Sequence, residues 1–130
     1  MKVLVDHDIE GYAVLLWGVM AAEGLLELAE AELITFEQVG LPIKTPDREV
    51  WRFVQANRMI LLTNNRNMEG PDSLELTMRE EITFHSLPVL TIGRIDRLDD
   101  KTYRTRCAAR LAEIVMEIEK YLGTTRIFIP

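Results

Sequence analysis

The chain has 130 residues, 48% of them apolar and 28% charged, a balance that suits one globular domain and excludes a disordered or fibrous chain. Its net charge of −6 excludes broad non-specific nucleic-acid binding, because counterion release rewards cationic surfaces. The longest charge-free stretch, Gly11 to Ala22, falls short of the roughly 20 apolar residues that span a bilayer, so no membrane association is expected.

The opening run, Met1 to Val5, is strand-like and lacks the basic, apolar and small-residue succession of an export signal. The single cysteine, Cys107, cannot form an intrachain disulfide and fits a reducing compartment, which predicts a cytoplasmic protein. The first strand is Lys2 to Val5. A helix follows from about Glu10 to Ala22, apolar over most of its circumference and expected at the centre or at a subunit contact. A second strand, about Glu32 to Phe36, has the look of an edge. The next helix starts at Thr45 Pro46 Asp47, where proline suits the first turn, and buries Val50, Phe53 and Val54. Met59 to Thr63 and Pro88 to Ile92 are nearly uninterrupted apolar runs, as central strands buried on both faces require. Between them a short helix carries Leu74, Met78 and Ile82. The longest helix, Asp100 to Leu122, sets Tyr103, Cys107, Leu111, Ile114, Val115, Ile118 and Leu122 on one stripe. Asp99 or Asp100 can cap its start and Gly123 its end. Arg126 to Ile129 is the fifth strand. This alternation predicts one domain over residues 1–130, a three-layer α/β/α fold with a central, mainly parallel five-stranded sheet in a Rossmann-like order.

Such a sheet binds its ligand beyond the carboxyl ends of its strands, at the switch point of the connections. Those ends carry Asp6 His7 Asp8, then Glu37 Gln38, then Asn64 Asn65 Arg66 Asn67, then Gly93 Arg94. If the chain stays extended through Asp8, Asp6 and Asp8 point to one side. Paired carboxylates suit Mg²⁺ or Mn²⁺, hard cations that prefer oxygen ligands and serve phosphate chemistry. The same acids also read as a turn and a helix cap, and the asparagines as a well-made loop. Arg66 could pair with Asp6 or Asp8 in place of a metal, or contact a phosphate. Basic residues from Arg94 to Arg110 read as a solvated helix face or a polyanion-contacting edge, with Arg94 the one at a strand end.

No phosphate loop, dinucleotide fingerprint, Cys-x-x-Cys, His-Glu-x-x-His or Gly-x-Ser-x-Gly motif is present, so no organic cofactor is expected. His7 and His85 have no evident triad companions. A phosphorylatable receiver domain would need an aspartate ending the third strand, where this chain has Thr63 Asn64.

Three segments in order, Val3 Leu4 Val5 Asp6 His7 Asp8, Pro46 Asp47 Arg48 Glu49 Val50 and Ile60 to Met68, resemble the small PIN-like domains of the DUF5615 type. The resemblance covers roughly the first seventy residues. It implies a metal-dependent ribonuclease, in some members one half of a toxin-antitoxin pair, with RNA as substrate and an antitoxin or other protein as partner. Asp6 matches the acid ending the first strand, and Asp47 the acid opening the helix after the second. Asn65 and Asn67 stand where the family usually shows aspartates after a threonine. Each such exchange keeps a carbonyl oxygen but removes a full negative charge facing the cation. Two functions follow as expectations. One is a nuclease in which Asp6, Asp8 and Asp47 hold the metal and Asn65 assists. The other is a non-hydrolytic binding module that uses Asn64, Arg66, Asn67 and Arg94 to contact a protein, RNA or small anion. A homodimer through the first helix, with Trp17 and Met20, or through the Trp51 region, is a third expectation.

Overall fold

Residues 1–66 and 70–130 are described by the computed structural model. Five short strands alternate with helices along the chain: β1 (Lys2–Val5), α1 (Glu10–Ala22), α2 (Leu25–Ala29), β2 (Glu32–Ile34), α3 (Asp47–Ala56), β3 (Ile60–Thr63), α4 (Leu74–Glu81), β4 (Val89–Ile92), α5 (Lys101–Met116) and β5 (Arg126–Ile129). The strands form one sheet in the order β2-β1-β3-β4-β5, and every pair is parallel. β2 lies at an edge, as its composition predicts, and the apolar runs of β3 and β4 lie inside.

Side chains of a strand alternate between faces, so each strand feeds two cores. Val3, Val5, Ile60, Leu62, Leu90 and Ile92 pack with residues of α1 and α5, including Ala13, Leu16, Cys107 and Leu111. Leu4, Leu61 and Val89 pack on the opposite side with Val50, Trp51 and Val54 of α3 and Leu74 and Met78 of α4. This is the three-layer α/β/α arrangement. Each fully buried Val, Leu or Ile contributes roughly 1.5–3 kcal/mol. Burial on two faces therefore holds strands of three or four residues that propensity alone could not.

Several local expectations change. β2 ends at Ile34 rather than Phe36, because the Thr35 amide turns to donate to the Gln38 side chain at 2.8 Å. The long helix ends at Met116, and a 3₁₀ turn, Ile118–Tyr121, takes up the rest of the predicted stripe. α2 is an additional element, bracketed by Gly24 and Glu30 in left-handed conformations. The chain does not stay extended past β1, because His7–Ile9 forms a 3₁₀ turn. Met20 and Trp51 are interior, at 0% and 4% exposure, and so cannot form a subunit face. Trp17 is half-buried and donates its indole N–H to the Ala31 carbonyl at 3.0 Å. The large apolar residues that α1 does expose are Val14 and Leu15. Among the described residues, no helix is long and apolar enough to cross a membrane.

Asp100 caps α5 by accepting from the amides of Thr102 and Tyr103 at 2.8 and 3.3 Å. Replacing it with alanine leaves those amides without that partner and should cost about 1 kcal/mol. A urea titration should show a lower midpoint with an unchanged slope.

Candidate functional site

The first connection, through α1 and α2, covers one face of the sheet, and the next, through α3, covers the other. β1 and β3 are neighbours, so the crevice between those two connections opens at their carboxyl ends. Leu4 and Leu61 face the α3 side. Two residues further on, the same alternation delivers Asp6 and Thr63 to that face. The ladder runs one step past β1, since the Asp6 amide donates to the Leu62 carbonyl at 2.9 Å.

A chain of hydrogen bonds then fixes the side chains. The Asn65 amide donates to Thr63 Oγ1 at 2.9 Å. The Thr63 hydroxyl has a single proton, which it gives to Asp6 Oδ2 at 2.8 Å. Asn65 Nδ2 donates to Asp47 Oδ2 at 2.9 Å. Asp47 does not cap its helix: it is the first residue of α3, preceded by Pro46 in the cap position. There the helix dipole favours its negative charge. Asp8 reaches the same region from the 3₁₀ turn rather than from an extended strand.

These residues line one cavity of about 320 Å³. Asp6, Asp8, Asp47, Thr63, Asn64 and Asn65 form its polar wall, and Phe36, Ile43, Val50, Leu61 and Leu74 line the rest. Among the described residues, no ion pair joins Lys, Arg or His to Asp6, Asp8 or Asp47. Burial pushes the Asp6 carboxyl above its ordinary 3.8. The Thr63 hydrogen bond opposes that shift, and the charges of Asp8 and Asp47 add to it. The donor set is hard oxygen, the kind that Mg²⁺ and Mn²⁺ select. The spacing is looser than the chemistry: among the described residues, no three Asp, Glu, His or Cys side chains form a ready metal-binding group. Asp6, Asp8 and Asp47 are nonetheless lining residues of one cavity.

Other predicted positions lie apart from the cavity. Arg66 is exposed and makes no ion pair with Asp6 or Asp8. Arg94 is exposed at the end of β4 and pairs with Asp96 at 3.0 Å. Asn67 lies outside the described residues. His7 stands 3.4 Å from Glu10, and His85 is exposed on a loop. Within the basic segment, Arg97 lies over the Tyr103 ring, Arg104 donates to the Leu98 carbonyl, and Arg110 donates to Glu113 and the Tyr121 hydroxyl. Those three cations are engaged in local packing.

Thr63 and Arg126 are site residues that the sequence reading did not single out. For Thr63 a signal exists: it is the polar end of an otherwise apolar strand, buried at 0% exposure. Arg126 donates to the Asn65 carbonyl at 2.7 Å across 61 positions of chain, a contact that no local pattern announces. Compared with family models, curated proteins and solved structures, the chain matches none of them.

The raised Asp6 carboxyl means that the folded chain disfavours the ionised form. Its favourable contribution is present below the unfolded value and is lost as pH rises through the folded one. Asp6→Asn, neutral at every pH and still able to accept from Thr63, should therefore melt a few degrees above the parent at pH 7 without added metal. Melting curves from pH 7 down to pH 4 should show that advantage closing as the aspartate protonates.

Proposed function

We propose that the cavity holds a divalent cation and that the chain is a PIN-like, metal-dependent phosphodiesterase acting on RNA. The observation that carries this reading is the grouping of Asp6, Asp8 and Asp47 around one cavity with, among the described residues, no Lys, Arg or His paired to any of them. Carboxylates crowded in this way repel one another and raise the cost of ionising Asp6. At an effective dielectric of about 20, unit charges about 4 Å apart interact by roughly 4 kcal/mol before desolvation, and a divalent charge doubles that. Magnesium or manganese therefore offsets the repulsion more effectively than one added lysine would.

Each protein group then has a defined task. Asp6, Asp8 and Asp47 would each offer a carboxylate oxygen to the cation. Thr63 orients Asp6, and Asn65 orients Asp47. A carboxylate oxygen that accepts one hydrogen bond still has a lone pair for a cation. When bound, such a cation supplies Lewis-acid stabilisation of charge on a phosphodiester and acidifies a nearby water. The acidic wall itself repels a phosphate, so RNA engagement depends on the cation being in place. The buried, lone Cys107 fits a cytoplasmic setting, and the exposed Val14 and Leu15 on α1 offer a face for the antitoxin-like partner or second copy that the resemblance implies.

A second reading, a binding module without hydrolysis, draws on the orientation of Asn65. A carboxylate can only accept, so the amide must turn its nitrogen to Asp47. That bond neutralises in part the charge that an aspartate at position 65 would have left for a metal.

Mn²⁺ at saturating, millimolar concentration should raise the parent's Tm by a few degrees, since ligand at about 100 times its Kd adds about 2.7 kcal/mol. The parent should cleave single-stranded RNA with Mn²⁺ present, and Asp6→Asn should lose both responses. Asn65→Asp should melt lower than the parent without metal and show the larger Mn²⁺ shift. Cleavage by Asn65→Asp alone, with none by the parent, would select the binding-module reading.

A further inference from the structure

Arg126 opens β5, at the far side of the sheet from Asp47, yet its side chain is only 5% exposed and points inward. Its Nη1 donates to the Asn65 carbonyl and to the Thr91 hydroxyl, and its Nε to Glu75 of α4. Thr91 lies one strand over from Thr63 in register, so the guanidinium sits beneath the loop that leaves β3. Its Nη2 is buried and has no partner among the described residues. A charged side chain is costly to bury, and more so with a donor unspent. Packing alone would be served better by an apolar residue there, which directs attention to what the charge touches.

We infer that Arg126 is a positioning residue that holds Asn65 in the orientation the cavity uses. Resting on the metal-site reading above, this extends the site to the last strand. The Asn65 main chain is tied at both ends, its N–H to Thr63 and its carbonyl to Arg126. With both fixed, the Asn65 side chain emerges on the Asp47 side and meets Oδ2. Charge-assisted bonds to a carbonyl and a carboxylate at once need the planar fork of arginine; a lysine ammonium keeps the charge but cannot span the same partners. Glu75 orients the fork from α4, so the loop is braced by β4, β5 and α4 together. The partners that orient metal ligands change metal affinity about 10- to 100-fold when replaced; Arg126 acts one step further out, through Asn65 on Asp47, so the low end of that range is expected.

The test uses ¹⁵N-labelled full-length chain, with Mn²⁺ affinity from calorimetry and the Asn65 side-chain amide followed by NMR. Arg126→Lys should bind Mn²⁺ about tenfold more weakly and move the Asn65 amide signals toward those of an unstructured asparagine. Asp100→Ala, which destabilises the fold at α5, should leave both readouts at parental values. Parental Mn²⁺ affinity and unmoved Asn65 signals in Arg126→Lys would overturn the inference. If the parent itself takes no Mn²⁺, the metal reading fails separately and the amide signals alone decide: displacement in Arg126→Lys but not in Asp100→Ala supports the positioning role, and no displacement overturns it. Should Arg126→Lys not fold, Glu75→Gln, which leaves Arg126 in place and weakens its anchor, is read by the same criteria.

Discussion

The parallel pairing of β1 with β3 is the constraint on which the rest of the molecule depends. In that register Val5 opposes Leu62, so the next residues along, Asp6 and Thr63, meet at the mouth of the sheet. Everything polar in the cavity is arranged from that meeting. Thr63 donates to Asp6, whose carboxylate can only accept, while its own oxygen accepts from the Asn65 amide, and Asn65 in turn reaches Asp47. A slip of β1 by one residue against β3 would turn Leu4 away from α3 and carry Asp6 to the wrong face. The two cores therefore protect the geometry of the site as well as the stability of the fold.

That geometry has a cost. Burial and the neighbouring charges of Asp8 and Asp47 oppose the ionisation of Asp6, and the bond from Thr63 offsets only part of that. Between α3 and α4 the acids are matched: Arg48 bridges Asp72, Glu80 and Glu81, and Arg52 also pairs with Glu81. The contrast matters, because acids paired with arginine read as structure and acids left facing a cavity read as function. Stability spent at Asp6 is what an arriving cation would return.

Most of the fold was legible in the order of apolar runs, since buried parallel strands must be apolar on both faces and the helices show their stripes. The bounds of α1 and β5 coincide with the expected ones. Two kinds of feature escaped. Local backbone choices did so where a side chain competes for a turn, as Gln38 does after Ile34, or where a left-handed residue such as Glu30 closes a five-residue helix. Long-range contacts escaped for a different reason. The acids Asp6, Asp8 and Asp47 are visible in sequence because strand ends and helix starts are visible. Asp8 reaches the cavity through a tight turn that alternation did not foresee. The bond from Arg126 to the Asn65 carbonyl joins residues whose proximity is decided only when the sheet closes.

Arg126 belongs to β5, which follows α5 in the chain. Synthesis from the amino terminus makes the carboxylates of Asp6, Asp8 and Asp47 before the arginine that holds the Asn65 carbonyl, so the wall of the cavity precedes its brace. The half-made chain carries the carboxylates but not the fork that steadies Asn65.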